Sequence, residues 1–444
     1  MRLARYALIS LAVLGVALGV VLLAQGSGSG RPAAPPAGPN ILVVVTDDQR
    51  TGSMRWMPKT RRLLRGGGRT FTNAVVTTPL CCPSRASIFS GKYIHNHGVA
   101  GNGTPGQIRA YDHEQTWPEV LQEAGYTTAL AGKYMNHWPR EKQPPSFDFY
   151  SWADGGDARR ADKRIDTLRV HDARRFVRKA EDDDGRPWAL TVSLHAPHTA
   201  YDPPPRYRDL RAGPFPRNAG TRERDLSDKA RVVRDLQASN PKIQASWLGH
   251  AQTLKATDDL LARLTDDLRR RGELRETLII FISDNGYMMG EHGLTKKTWP
   301  YLGSIEVPLL VRWPGHVKAG SRSADLVANI DIAATVFDGA GVEADYATDG
   351  RSLLSGEPRE WILLEGPRLH DNSPFEAWDA YLDRDAHFIQ WRDEAHHREL
   401  YDLGSDPFEI ESLLADPGPG NEDAAEEYAA LVERARTCVG GDCP

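Results

Sequence analysis

The chain has 444 residues, of which 26% are charged, and a formal net charge of −5. That length exceeds the usual single domain and can bury a large core, which excludes a small binding module and predicts one large domain with a smaller companion. The charge balance creates no strong overall field toward nucleic acid or an anionic membrane, so recognition of any anion must be local.

In chain order, Arg2 and Arg5 precede an apolar run from Ala7 to Ala24, the pattern of an export signal. The run sits at the short edge of a membrane span. Residues 1–24 are therefore either a cleaved signal peptide or a retained anchor, and both readings make the rest of the chain extracytoplasmic, secreted or membrane-anchored. Residues 25–38, rich in Gly, Pro and Ala, read as a flexible linker. Asn40 to Thr46 is a continuous apolar, β-branched run that fits a strand buried on both faces, and it stops at Asp47 and Asp48. Three more runs behave alike: Thr127 to Ala131 before Gly132 and Lys133, Trp188 to Leu194 before His195 and His198, and Leu278 to Ile282 before Ser283, Asp284 and Asn285. Helical spacing marks Trp117 to Ala124, Asp162 to Ala180 and Gln244 to Arg271, and the stretch 324–342 is helix-like. Alternating strands and helices predict an α/β fold, a doubly wound, mostly parallel sheet flanked by helices. Such sheets place their sites just beyond the carboxyl ends of the strands, so four distant motifs are expected to meet in one crevice.

Tyr201 to Pro241 has little periodicity and is either a wall of that crevice or a solvated loop. The large domain is expected to span 39–349. A smaller C-terminal α+β domain at 350–444 is expected on a short antiparallel sheet, with strands at Trp361 to Glu365, Ala386 to Trp391 and His397 to Tyr401 and a closing helix at Asp423 to Thr437.

The four cysteines divide into two pairs. Cys438 and Cys443, near the C-terminus, are expected to bridge in an oxidising compartment. Cys81 and Cys82 are adjacent and do not easily pair with each other. Pro83 and Ser84 predict a helix opening directly behind Cys81 and running toward Gly91. Cys81 then stands at a helix N-terminus, where free amides and the helix dipole favour an oxyanion such as sulfate or phosphate. Arg85, one turn in, is placed to orient it, whereas Cys82 has only a packing role.

Asp47, Asp48, Asp284 and Asn285 offer oxygen donors alone, a set suited to Ca²⁺ and not to zinc. A single acidic pair reads equally as a turn or cap, and two pairs at two strand ends weigh against that reading. Lys133 and Lys297 carry compact charges able to balance a transferring group. His198, at a strand end, is placed to donate a proton to a leaving oxygen near neutral pH. His195 lies inside the strand exit, which suggests core packing. His95 and His97 either reach the crevice from behind the helix or are polar loop residues.

The run CCPSRASIFSGKY resembles the Cys-x-Pro-x-Arg element of the type I sulfatases. The similarity extends from PNILVVVTDDQ through AGKYMNHW, APHTAY, ISDNGYMMGEHGL and VPLLVRWPG to ELYDLGSDPFEIESLL. It implies the alkaline-phosphatase-like fold and oxidation of Cys81 to formylglycine by the formylglycine-generating enzyme. It also implies calcium held by Asp47, Asp48, Asp284, Asn285 and the modified residue 81. Arg85 and Lys133 become supporting cations, and His198 and Lys297 become contacts to sulfate and leaving group. A hydrated aldehyde has two hydroxyls, one to attack sulfur and one to expel sulfate, which explains a cysteine precursor where a serine would be trapped as its ester.

Within the family, CCPSR and GKYxHNHxV are most similar to N-acetylglucosamine-6-sulfatases and related endosulfatases. Met135 stands where many relatives carry histidine, so Asn136 is expected to replace that substrate contact, with His195 as a second. Trp299 and Tyr301 either stack on a sugar ring or pack. The implied function is an exported, calcium-dependent sulfatase acting on a sulfate monoester of a sulfated carbohydrate, with N-acetylglucosamine 6-sulfate as the candidate. The alternatives are a phosphodiester or phosphonate monoester hydrolase of the same superfamily and a non-catalytic glycan binder.

Overall fold

A computed structural model of the chain describes residues 38–103, 105–139, 142–152, 165–183, 185–366, 377–392 and 397–444. The export signal, the linker up to residue 37 and residues 162–164 of the expected helix lie outside the described residues. Among the described residues no helix is long and apolar enough to cross a membrane.

The large sheet comprises β1 (Asn40–Asp47), β2 (Arg69–Val75), β3 (Thr127–Gly132), β4 (Phe149–Ser151), β5 (Trp188–Pro197), β6 (Thr277–Ser283), β7 (Leu309–Arg312) and β8 (Ser321–Ala328). Their spatial order is β8-β2-β7-β6-β1-β5-β3-β4. The pairings of β7 with β2 and β6 are antiparallel, while β1, β3, β5 and β6 run parallel at the centre. The longer helices are α1 (Pro58–Gly66), α2 (Cys81–Ser90), α3 (Trp117–Glu123), α4 (Ile165–Asp183), α5 (Asn240–Arg271), α6 (Asp331–Ala340) and α7 (Pro419–Ala435).

The pleat of β1 explains its unbroken apolar sequence. Ile41, Val43 and Val45 join one core with Cys82, Ala86 and Phe89 of α2, while Leu42 and Val44 join the opposite core with Val177 of α4 and Leu261 of α5. Both faces are covered by helices, as a doubly wound sheet requires. α5 begins four residues before the expected start, because Ser239 adopts an extended cap conformation and Pro241 fits the first turn. It ends at Gly272, whose φ of 90° supplies the left-handed cap.

One expectation is corrected. The stretch 324–342 is not a single helix: residues 324–328 are the end of β8, paired in parallel with β2, and the helix starts only at Asp331. The Asp331 carboxylate accepts the Ala328 N–H at 2.7 Å and the Arg351 N–H at 2.9 Å, and Arg359 forks onto it at 2.8 Å, so the chain turns at 329–330. Exposure along β8 alternates at its start, the strand signature that the apolar helical spacing downstream obscures.

A second sheet, purely antiparallel, runs β9 (Ile362–Gly366), β10 (Trp378–Leu382), β11 (Ala386–Trp391), β12 (Arg398–Asp402), with α7 packed on it. β10 adds a strand to the three expected. Cys438 and Cys443 form the expected disulfide, and Cys81 and Cys82 are free thiols. Tyr201 to Pro241 is fastened at several points: the Lys229 ammonium, fully enclosed, donates to the Ile410 carbonyl at 2.8 Å, and Ser412 N–H donates to Asp228 at 2.8 Å.

Candidate active site

The parallel register brings the strand ends level. Thr46 of β1 pairs with Ser283 of β6, and Asp47 pairs with Pro197 of β5, so the residues following each strand leave the sheet at one edge. Asp48 turns the chain with φ 68°. Its N–H donates to Asp284 Oδ1 at 3.3 Å, while Asp284 N–H donates to the Thr46 carbonyl at 3.0 Å. Gln49 N–H donates to Ser283 Oγ at 2.9 Å, so the serine that offers no charge knits the two acidic loops together.

Cys81 is the first residue of α2, preceded by an extended Leu80, and no side chain caps the helix there. All ten residues of α2 are buried, and Gly91 closes it with φ 72°. Cys81 Sγ lies 3.6 Å from Asp47 Oδ1 and 3.0 Å from Lys297 Nζ. Cys82 is engaged elsewhere: its N–H donates to Asn102 Oδ1 at 2.8 Å and its sulfur accepts the Asn136 N–H at 3.1 Å.

Four cationic or protonatable side chains close the cluster. Arg85 is almost fully buried and donates from Nε to Asp284 Oδ2 at 2.8 Å, from Nη2 to Asp47 Oδ2 at 3.4 Å and from Nη1 to the Lys133 carbonyl at 3.0 Å. Lys133 Nζ donates to Asp47 Oδ2 at 2.7 Å. Lys297 Nζ donates to Asp48 Oδ1 and lies 3.8 Å from Asp47 Oδ1. His198 donates from Nδ1 to the Thr199 carbonyl, which leaves Nε2 facing Asp48 Oδ2 at 3.8 Å.

Burial and charge compete here. Burial opposes ionisation of Asp47, yet Lys133, Lys297 and Arg85 hold its carboxyl well below the usual range. Asp284 goes the other way, pushed up by burial and by the charge of Asp47 against the pull of Arg85. Burial lowers the two lysines, and neighbouring anions, Asp47 for Lys133 and Asp48 for Lys297, more than reverse it. The Cys81 thiol is pushed up, by burial first and then by Asp47. A thiol held neutral is a poor nucleophile, so this surrounding does not activate cysteine as such.

The chain thus gathers Asp47, Asp48, Cys81, Arg85, Lys133, His198, Asp284, Asn285 and Lys297 at one sheet edge. His195 lies beside them, its ring centre 5.0 Å from that of His198 and its N–H bonded to Asp166 at 2.7 Å. Asn136 is half-buried and tied through its backbone to Cys82. His95 and His97 serve the back of α2: His95 contacts Glu365 and the Cys438 carbonyl, and His97 contacts Ser87 Oγ. Trp299 and Tyr301 pack in the core of the second sheet, and Tyr301 donates to Glu399 at 2.9 Å. Ser193 was not singled out by the sequence, although a hydroxyl in a buried strand is a signal. Its Oγ accepts from Arg85 Nη1 and donates to the Lys133 carbonyl, both at 2.5 Å, fixing two cations together.

The donor set suits a hard cation. One oxygen or sulfur atom from each of Asp47, Cys81 and Asp284 lies within 4.8 Å of the others. Asn285 Nδ2 donates to Asp48 Oδ1 at 2.7 Å, while its Oδ1 is buried and has no hydrogen-bond partner among the described residues. A buried acceptor left open among carboxylates fits an oxygen-preferring metal ion.

The fold matches that of a solved structure. A solved structure of a protein in complex with its substrate D-glucosamine-2-N,6-O-disulfate superposes with a TM-score of 0.78 at 24% identity, covering 89% of this chain and 97% of that one. The family model Sulfatase matches residues 39–342, and the chain belongs to the sulfatase family. Human N-acetylglucosamine-6-sulfatase is 33% identical over 384 residues, covering 78% of this chain and 67% of that protein. The extracellular sulfatase SULF-1 homolog of Drosophila melanogaster is 32% identical over 378 residues, and the match spans 78% of this chain but only 33% of the fly protein.

Proposed function

We propose that the protein is an exported sulfatase that hydrolyses a sulfate monoester of a sulfated sugar, with N-acetylglucosamine 6-sulfate as the candidate substrate. The observation that carries this reading is the placement of Cys81 at an uncapped helix N-terminus between Asp47 and Lys297. The candidate sugar follows from the similarity to human N-acetylglucosamine-6-sulfatase. Asp47, Asp48, Asp284, Asn285 and residue 81 would hold calcium, and residue 81 would be formylglycine, installed by the formylglycine-generating enzyme. Together these groups supply a charged anchor for sulfate oxygens and, on hydration of the aldehyde, a hydroxyl nucleophile.

The chain's own residues do the rest. The α2 amides and Lys133 receive the anionic sulfo group, and Lys297 balances the charge that grows on it. Arg85, locked by Asp284, Asp47 and Ser193, fixes the direction of residue 81. His198 Nε2 delivers a proton to the departing sugar oxygen. The catalytic domain would span 39–349, because the last helix of the large sheet ends at Ala340, and the small domain 350–444 would begin before β9.

The test is made on enzyme produced with the maturation enzyme. Mass spectrometry of the peptide holding residue 81 should show the aldehyde, and turnover of N-acetylglucosamine 6-sulfate should vanish in Cys81→Ala with the fold intact. Cys81→Ser should stop at a stable sulfated serine. Full activity in Cys81→Ala, or faster turnover of a phosphonate or phosphodiester sharing the leaving group, would overturn the reading.

A further inference from the structure

A face of the molecule adjoining the acidic loops combines aromatic rings with arginines, two of which, Arg55 and Arg217, have no carboxylate partner among the described residues. Arg50, two residues beyond Asp48, pairs with Glu291 at 2.8 Å and lays its guanidinium over the Phe215 ring, 5.7 Å from its centre. Glu291 also accepts the Met289 N–H at 2.8 Å, so the loop after Asn285 is fastened to the same point. Phe215 meets Trp247 edge-on at 5.3 Å, Trp56 meets Trp247 at 5.8 Å, and Arg55 stacks over Trp247 at 5.0 Å. The Phe215 segment is held against α5 by Gln244, which accepts the Phe215 N–H at 2.9 Å and donates to the Gly213 carbonyl at 3.0 Å.

Three features distinguish this face. Phe215 and Arg217 help line a cavity of about 180 Å³, smaller than a pocket that encloses a whole ligand and suited to one unit of a chain. Arg55 and Arg217 are exposed, and neither pairs with a carboxylate among the described residues. The segment from Tyr201 to Lys242 carries ten lysines and arginines against six aspartates and glutamates, in a protein of net charge −5. In addition, the indole N–H groups of Trp56 and Trp247 are buried without an acceptor among the described residues.

We infer that the Arg55, Phe215 and Arg217 face is a remote subsite that grips a further anionic sugar of a longer sulfated glycan. The aromatic edge contacts the apolar face of the sugar and the guanidinium groups hold its sulfate or carboxylate. This rests on the sulfated-sugar reading above. The chain segment that reads as a loop in the sequence is, on this account, the wall that selects oligosaccharides over monosaccharides.

The test compares a heparin-derived hexasaccharide with N-acetylglucosamine 6-sulfate as substrates of matured enzyme. Removing either arginine, in Arg55→Ala or Arg217→Ala, should lower kcat/KM for the hexasaccharide about fivefold through KM, the scale of one exposed ion pair, and leave the monosaccharide unchanged. Added salt should weaken the hexasaccharide preference in the parent enzyme and less so in the double variant. Equal losses on both substrates, or no loss on either, would overturn the subsite. Calorimetric binding of the hexasaccharide to Cys81→Ala protein separates this inference from the hydrolase reading. Binding weakened by Arg217→Glu supports the subsite even if no ester is turned over, and binding indifferent to Arg217→Glu removes it.

Discussion

At the scale of single residues, the cysteine is defined by what its neighbours prevent. Burial and Asp47 keep the Cys81 thiol neutral, so a thiolate mechanism finds no support in the geometry, whereas Lys297 at 3.0 Å and the open helix end would both stabilise an oxygen-based group there. His198 is the one group in the cluster with a ring nitrogen facing the acidic loops and a backbone bond fixing the other. If it protonates the departing oxygen, His198→Ala should lower kcat for a sugar sulfate by about 10²–10⁴. The loss should be much smaller for 4-nitrophenyl sulfate, whose leaving group needs no proton. Equal losses on the two substrates, read from steady-state kinetics, would assign His198 to binding alone.

At the scale of elements, the site depends on how strands end. β3 finishes at Gly132 with φ 122°, and a Cβ there would sit 1.9 Å from the Ser193 carbonyl oxygen of β5. Only glycine lets the two strands approach so closely while turning Lys133 toward Asp47. Gly132→Ala should therefore destabilise the protein by roughly 3 kcal/mol or more and depress activity beyond the loss of folded protein, because Lys133 moves with the strand end. Chemical denaturation together with kcat per folded molecule measures both. The division of 324–342 into β8 and α6 shows the same dependence from the other side. There the apolar spacing suited a helix, and Asp331, clamped by Arg359 and two backbone amides, decides where the helix begins.

For the whole molecule, two enclosed groups set opposite limits on stability with pH. His250 of α5 is caged by the rings of Tyr201 and Tyr287, has no hydrogen-bond partner on either ring nitrogen among the described residues, and is lowered by burial to about 3 from an ordinary 6.5. The unfolded chain binds that proton first, so this contribution is present above pH 6.5 and is lost as pH falls toward 3. Glu306 is raised to about 7 from 4.5, by burial and then by Glu409. Its contribution is complete below pH 4.5 and is lost as pH rises through 7. Tm against pH should fall on both sides, with the alkaline limb flattened in Glu306→Gln and the acid limb shallower in His250→Phe. An alkaline limb unchanged by Glu306→Gln would remove that carboxyl as its cause.

Sequence alone determined the local facts. It located the strands that end in Asp47, Lys133, His198 and Asp284, the helix opening at Cys81, and the disulfide between Cys438 and Cys443. Each is written in short-range pattern: unbroken β-branched runs, a proline in a first helical turn, two cysteines five residues apart. Tertiary structure alone decided what those motifs do to one another, because the contacts join residues far apart in the chain, 249 positions in the case of Asp48 and Lys297. It placed Ser193 between two cations and sent Trp299 and Tyr301 into a core. It also drew the Tyr201 to Pro241 segment against α5 and the second sheet, where burial, charge and backbone register act across distances that no local pattern records.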